Sequence, residues 1–210
     1  MFTPMKKIIL TFITVILMTI NGFAQYKPFQ FGLNVSPGIN ITSTKWEGIV
    51  ETENHISFNW GFLGNFYLVE NYGFSTGFNI LSQKGGYYYL SDTDSISSTL
   101  RCNIETQYLE IPLSLMMRTE KLGNFRIFSN IGYGLGIRIN ANDFQYKDDL
   151  KKIRHGLILK LGAEYKVYKS TYLTFALKYN DNFGKVYKNE NSLHHNIKLN
   201  CLSLEIGFMF

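Results

Sequence analysis

Charged residues are scarce in this chain, at 18% of its 210 residues, against roughly 25% in soluble domains. Charge of one sign is scarcer still. The formal net charge is +5, and taking away Lys6 and Lys7 with an N-terminal leader leaves +3, too little to argue for nucleic acid as a partner. Tryptophan and proline number only 2 and 4, and the 18 glycines are scattered, which excludes a linker-rich or low-complexity protein. Mean hydropathy is near zero. That value resembles a soluble protein's, but it averages over an alternating pattern and so hides a membrane barrel.

Long apolar runs are also lacking. The one candidate, Ile8 to Ile20, has 13 residues, short of the 18 or so that a spanning helix needs. Its surroundings have the layout of a secretory signal peptide: Met1, Lys6 and Lys7 precede it, and Gly22 and Ala24 stand at −3 and −1 of a cut before Gln25. The expectation is a cleaved signal at residues 1–24 and a mature domain at 25–210. No cysteine follows the cut, which argues against a lipoprotein. Cys102 and Cys201 are the only cysteines. The strand pattern puts them on the fourth and eighth strands, on opposite sides of a barrel, and a disulfide needs Cα atoms within about 7 Å. Two free thiols are expected.

What the mature chain has in abundance is aromatic residues, 16% of the total, and a hydrophobic period of two. Phe125 to Asn140 is the clearest case. Phe125, Ile127, Ser129, Ile131, Tyr133, Leu135, Ile137 and Ile139 fall on one face, and Arg126, Phe128, Asn130, Gly132, Gly134, Gly136, Arg138 and Asn140 on the other. Seven further stretches alternate similarly, beginning near Phe29, Ile56, Phe74, Leu109, Leu157, Leu173 and Leu202. The count is eight strands. Short connections (Glu70-Asn71-Tyr72, Thr119 to Asn124, Lys169-Ser170-Thr171) alternate with longer polar ones (Thr42 to His55, Ser91 to Arg101, Ala141 to Arg154, Gly184 to His195). Transmembrane barrels have short periplasmic turns and long outer loops. The reading is therefore an all-β fold: an eight-stranded antiparallel up-and-down transmembrane β-barrel in the outer membrane of a Gram-negative bacterium, in contact with outer-membrane lipid, with both termini periplasmic.

A soluble periplasmic barrel would alternate too. The polar face distinguishes them, because it is rich in Gly, Ser and Asn with a few charges of both signs, as suits the crowded lumen of eight strands. Glu110, Arg126, Arg138, Lys160, Glu164, Lys178 and Glu205 are expected to pair there, since lone buried charges are costly. Trp60, Tyr87 to Tyr89, Tyr165, Tyr168 and Tyr172 are expected as interface girdles. Phe210, closing an alternating strand, resembles the signal read by the barrel-assembly machinery.

Tyr108-Leu109-Glu110-Ile111-Pro112-Leu113 resembles the fourth-strand motif of the PorT-like outer-membrane β-barrel domain family. Gly61-Phe62-Leu63-Gly64 and Ser82-Gln83-Lys84-Gly85-Gly86 support the resemblance, which covers about Phe29 to Phe210. It implies an eight-stranded outer-membrane barrel and, through the family's named member, a link to a protein-secretion apparatus. It implies no functional residues. Within the motif Glu110 is expected to point inward to a basic partner, and Pro112, lacking a ladder donor, to mark a bulge or bend.

Chemistry-bearing motifs are weak. Gly73-Phe74-Ser75-Thr76-Gly77 fits G-x-S-x-G, but a nucleophile elbow needs a helix after it and this one lies inside a strand. Gly132, Gly134 and Gly136 likewise lack the helix of a dinucleotide loop, so lumen packing explains them better. His55, His155, His194 and His195 fall at outer strand ends or in outer loops, without zinc spacing. Asp92 and Asp94 lack the Gly and Glu of a calcium loop. Lys147 to Lys152 form a solvated mixed-charge face, with lipid phosphate near Lys151, Lys152 and Arg154 as the alternative. No catalytic, cofactor-binding or metal residues are assigned, and no enzyme is expected. The leading function is a structural or interaction protein, an accessory of an envelope or secretion assembly. A small-solute porin-like channel, which would need the lumen charges offset to one wall, and a lipid-modifying barrel enzyme are the alternatives.

Overall fold

A computed structural model describes residues 28–44, 49–93, 96–141, 150–187 and 197–210. Among these residues there are nine strands: β1 (Phe29–Thr44), β2 (Ile49–Glu53), β3 (His55–Val69), β4 (Tyr72–Thr93), β5 (Ile96–Arg118), β6 (Phe125–Ala141), β7 (Ile153–Tyr168), β8 (Thr171–Asn182) and β9 (Ile197–Met209). All pairings are antiparallel, each barrel strand to the next, and β1 closes on β9 from Gly32↔Met209 to Thr44↔Ile197. Strands β2 and β3 both pair with β4 and form one barrel strand broken at Asn54. The break has a local cause. Thr42 of β1 donates its amide to Asn54 Oδ1 (3.3 Å) and its hydroxyl to the Glu53 carbonyl (2.8 Å), so a side chain takes over from the ladder at that point. The barrel thus has eight strands, as expected, and closure leaves it no sheet edge within the membrane.

Side-chain parity shows which medium surrounds it. The apolar rows face outward: Leu113 is 60% exposed, Leu161 61% and Leu204 62%, while Asn34, Ser57, Asn79, Glu110, Lys160 and Glu205 on the opposite parity are buried. A soluble barrel would be arranged the other way round. An apolar exterior of this extent is stable only against hydrocarbon.

Three of the expected short connections are short, at 70–71, 119–124 and 169–170. The expected outer loops need correction. Ser91 to Arg101 is mostly ladder, since β4 and β5 pair without interruption from Glu105↔Lys84 to Thr93↔Ile96. Beyond Ile80 the outward row of β4 turns to Ser82 and Lys84, and beyond Leu109 that of β5 turns to Gln107 and Glu105. The strands leave the hydrocarbon there and continue into water, where a hydrophobic pattern no longer marks them. From Ser82 to Thr93, at about 3.3 Å per residue, the hairpin extends roughly 40 Å along its strands. Thr42 to His55 is likewise largely strand, and only 45–48 lie outside the described residues. Pro112 marks no bulge: it pairs with Gly134 of β6, and toward β4 the ladder skips from Leu113 to Glu110 without a change of register. The register shift falls instead between Gln107 and Tyr108, where β5 leaves the apolar band.

Candidate functional site

The lumen is filled in three layers. At the end opposite the short turns lies an apolar plug in which Tyr87, Ile104, Leu150, Tyr187, Ile197 and Leu199 are essentially inaccessible, with Cys102, Ala141 and Val186 around them. Leu150 and Tyr187 come from the connections after β6 and β8. They bridge to each other, and Lys151 and Val186 are tied by a backbone bond of 2.8 Å, so these residues sit together over the mouth. The hydroxyls of Tyr87 and Tyr187 stand 3.4 Å apart.

The middle layer is ionic. Arg154 donates to Glu110 (2.8 Å) and Lys160 to Glu205 (2.6 Å). Lys178 lies between the two acids, 3.7 Å from Glu110 and 4.0 Å from Glu205. Asn34 donates to Glu205 (3.2 Å), and Asn180 points its amide at Glu110 (3.3 Å). Three cations thus share two carboxylates, and each of the five lies within 4.0 Å of an opposite charge, the condition for tolerating them in a low-dielectric interior. These groups sit on β5, β7, β8 and β9, facing a wall from β1, β3 and β4 of Asn34, Ser36, Asn59, Ser75 and Asn79.

Toward the short turns, Tyr67, Met116, Phe128 and Ala176 form a second apolar cluster. The Arg118 guanidinium lies over the Tyr67 ring at 3.6 Å, donates to the Glu70 carbonyl (2.8 Å) and stands 3.7 Å from Glu164. Tyr67 donates to Gln30 at 2.8 Å. The space left among Met116, Phe128, Lys160, Glu164 and Glu205 is about 10 Å³, room for about one water.

Of the lumen charges expected from sequence, Glu110, Lys160, Lys178 and Glu205 meet in one network. Glu164 faces Arg118, Arg126 reaches the turn residue Glu70 (3.2 Å), and Arg138 donates to the Leu150 carbonyl (3.0 Å). Arg154 is a correction: it enters the lumen rather than meeting lipid phosphate. Continuing the parity of Lys160 and Glu164 back along β7 would have placed it there, and the same step along β5 from Ser114 finds Arg118. The girdle also needs correction. Trp60 lies within the apolar band, between Val35 and Ile80 on the flanking strands, and Tyr87 points inward to the plug. Tyr88 belongs to the hairpin, and the Tyr89 side chain lies outside the description. Tyr165 and Tyr168 do stand exposed at the short-turn end, with the Phe125 ring tilted against Tyr165 at 4.7 Å.

Both cysteines are buried and unbridged. His155 faces outward between Tyr133 and Phe183, each ring 6.1 Å away, and His55 lies 3.5 Å from Glu53. His194, His195, Asp94 and Lys147 lie outside the described residues, as do residues 1–27. Among the described residues no three His, Cys, Asp or Glu side chains converge as metal ligands. On the hairpin surface, Tyr88 (2.8 Å) and Arg101 (2.7 Å) donate to Glu53, and Lys84 pairs with Glu105 (2.6 Å). The bond from Tyr88, then that from Arg101, holds the Glu53 carboxyl below its ordinary range.

An apolar exterior, a closed antiparallel wall and an ion-paired, filled lumen define a membrane-spanning β-barrel of the smallest size class. The family described as outer membrane protein beta-barrel domain matches residues 23–188, and the chain belongs to it. Two solved structures share the fold. Neisserial surface protein A is 12% identical with a TM-score of 0.56, over 87% of this chain and 96% of that one. OprG from Pseudomonas aeruginosa is 11% identical with a TM-score of 0.53, over 87% and 95%. No curated protein matches.

Proposed function

We propose that this barrel is a structural or interaction protein of the outer membrane that works through its outer surface rather than through its lumen. One observation carries the reading: among the described residues two apolar clusters and an ion-paired layer between them occupy the lumen, while the β4–β5 hairpin projects far beyond the apolar band. Such a barrel offers a partner a rigid external sheet and offers a solute no path. In this reading residues 1–24 direct export, the short turns and both termini face the periplasm, and the outward Phe210 is the contact for the barrel-assembly machinery. The partner is a protein of an envelope or secretion assembly, in keeping with the resemblance to the PorT-like family, and the barrel has no catalytic role. Crosslinking in intact cells from a residue placed at Thr99, followed by identification of what co-purifies, tests it. An envelope protein captured by the full chain and lost when the hairpin is shortened is the expected result. Capture that survives shortening would overturn the assignment to the hairpin.

One observation favours a small-solute channel instead. The central charges do lie on one wall, opposite asparagines and serines. Planar-bilayer recording separates the two readings: a sealed barrel gives no discrete openings, and reproducible single-channel steps from the purified protein would favour the channel.

A further inference from the structure

The outward row of β6 runs Phe125, Ile127, Ser129, Ile131, Tyr133, Leu135, Ile137 and Ile139, and Ser129 is the only small residue in it. Its neighbours across the sheet are large, with Met117 on β5 and Leu161 on β7, and Leu177 on β8 follows Leu161. Met117, Ile127, Ile131 and Leu161 stand 44–61% exposed around a half-buried serine. The result is a notch of about 330 Å³ in the membrane-facing wall, lined by Met117, Ser129, Ile131, Leu159, Leu161 and Leu177, among others.

We propose that this notch binds one acyl chain of a phospholipid from the leaflet on the short-turn side. The medium fixes the apolar character of the occupant, because the notch opens inside the apolar band and an unfilled space there would forfeit the dispersion contacts of its walls. Depth fixes the leaflet: Ser129 is two outward positions from Phe125 at the short-turn end and five from Ile139 at the other. Charge at the foot of the notch fits a phosphate. The turns below it, between β5 and β6 and between β7 and β8, carry exposed Lys121 and Lys169, with Glu120 as the acid among them. Lys169 lies over the ring of Tyr168 at 5.4 Å, so cation and aromatic share the headgroup level. The turn between β3 and β4 carries Glu70 instead. A small residue at the floor lets the chain approach the backbone closely, as small residues do where helices meet in membranes.

Native mass spectrometry of the full chain, released from nanodiscs of phosphatidylethanolamine and phosphatidylglycerol, tests the proposal. The unaltered protein should retain one phospholipid. Ser129→Leu, which fills the notch from the lipid side and leaves the lumen untouched, should lower the retained fraction several-fold while heat-modifiable gel mobility stays intact. Lys121→Gln with Lys169→Gln should reduce the preference for phosphatidylglycerol. Equal retention by Ser129→Leu would overturn the proposal, as would a dimer that Ser129→Leu dissociates, which would give the notch to a second copy of the chain. The proposal uses the orientation given above only to name the leaflet as periplasmic. Protease shaving of intact cells tests that orientation separately, by cleavage in the hairpin, so the two can fail independently.

Discussion

Arg154 of β7 donates to Glu110 of β5 at 2.8 Å, reaching past β6, which lies between them in the sheet. Glycine on β6 gives the crossing room at one position: a Cβ on Gly134 would stand 3.0 Å from Glu110 Oε2. Glu110 also faces Lys178. Removing its charge therefore leaves Arg154 without its carboxylate and Lys178 with only Glu205, at 4.0 Å. Glu110→Gln should cost about 3–5 kcal/mol, read from urea unfolding of the barrel in lipid vesicles. The double change Glu110→Leu with Arg154→Leu should recover part of that loss. A single substitution as stable as the parent would mean that the network contributes nothing.

The three alternating glycines of β6 make a graded prediction. Alanine at Gly136 meets only side-chain atoms at 3.4 Å or more, an ordinary contact. At Gly134 it meets the ends of Ile158 (2.9 Å) and Glu110, which can shift. At Gly132 it would lie 2.3 Å from the Leu113 carbonyl oxygen and 2.4 Å from the Ser114 Cα, which cannot. Gly136→Ala should be near neutral, Gly134→Ala mildly destabilising, and Gly132→Ala should cost about 1–3 kcal/mol or more. Equal losses at all three positions in the same unfolding assay would show that the wall adapts more freely than the geometry allows.

Much of this architecture is legible in the order of residues, for a physical reason. Facing hydrocarbon on one side and a crowded lumen on the other forces a strict period of two, and eight such rows need no homologue to be seen. The misreadings come where that constraint lapses. Past Ile80 and Leu109 both faces of the hairpin's environment change, so Ser91 to Arg101 looks like a polar loop although most of it is ladder. Three consecutive tyrosines look like a girdle, yet a strand must send Tyr87 and Tyr88 to opposite faces. Arg154, following two lysines, looks like part of a solvated cluster until the parity of β7 is carried through it. The plug was not legible at all. Leu150, Val186 and Tyr187 lie outside the regular strands, and only the closed barrel brings them together with Tyr87 and Leu199.

Burial decides the behaviour of the thiols. Cys201 is 2% exposed, with the Ser57 hydroxyl 3.4 Å from its sulfur, and Cys102 is 7% exposed in the plug. A charged maleimide needs both access and thiolate, so neither cysteine should label in the folded protein and both should label in urea, counted by mass. Rapid labelling of Cys102 alone in the folded state would indicate that the plug opens. Failure of either to label in urea would contradict the absence of a disulfide.

The hairpin carries a pH dependence outside the membrane with a definite sign. Glu53 accepts from Tyr88 and Arg101, and its carboxyl is held below the ordinary value of 4.5, first by the Tyr88 bond and then by Arg101, with His55 adding a smaller pull. A carboxylate with a lowered folded-state value binds fewer protons folded than unfolded. Its contribution is therefore fully present above about pH 4.5 and is lost as the pH falls through the lowered value. Carbon-13 NMR of the Glu53 carboxyl in nanodiscs should give a midpoint below 4.5. Tyr88→Phe removes the larger cause and should move the midpoint back toward the ordinary value. Arg101→Gln should move it back by less. A midpoint unmoved by Tyr88→Phe would show that the tie between β2 and β4 does not persist in solution, and with it the rigid external sheet on which the interaction role depends.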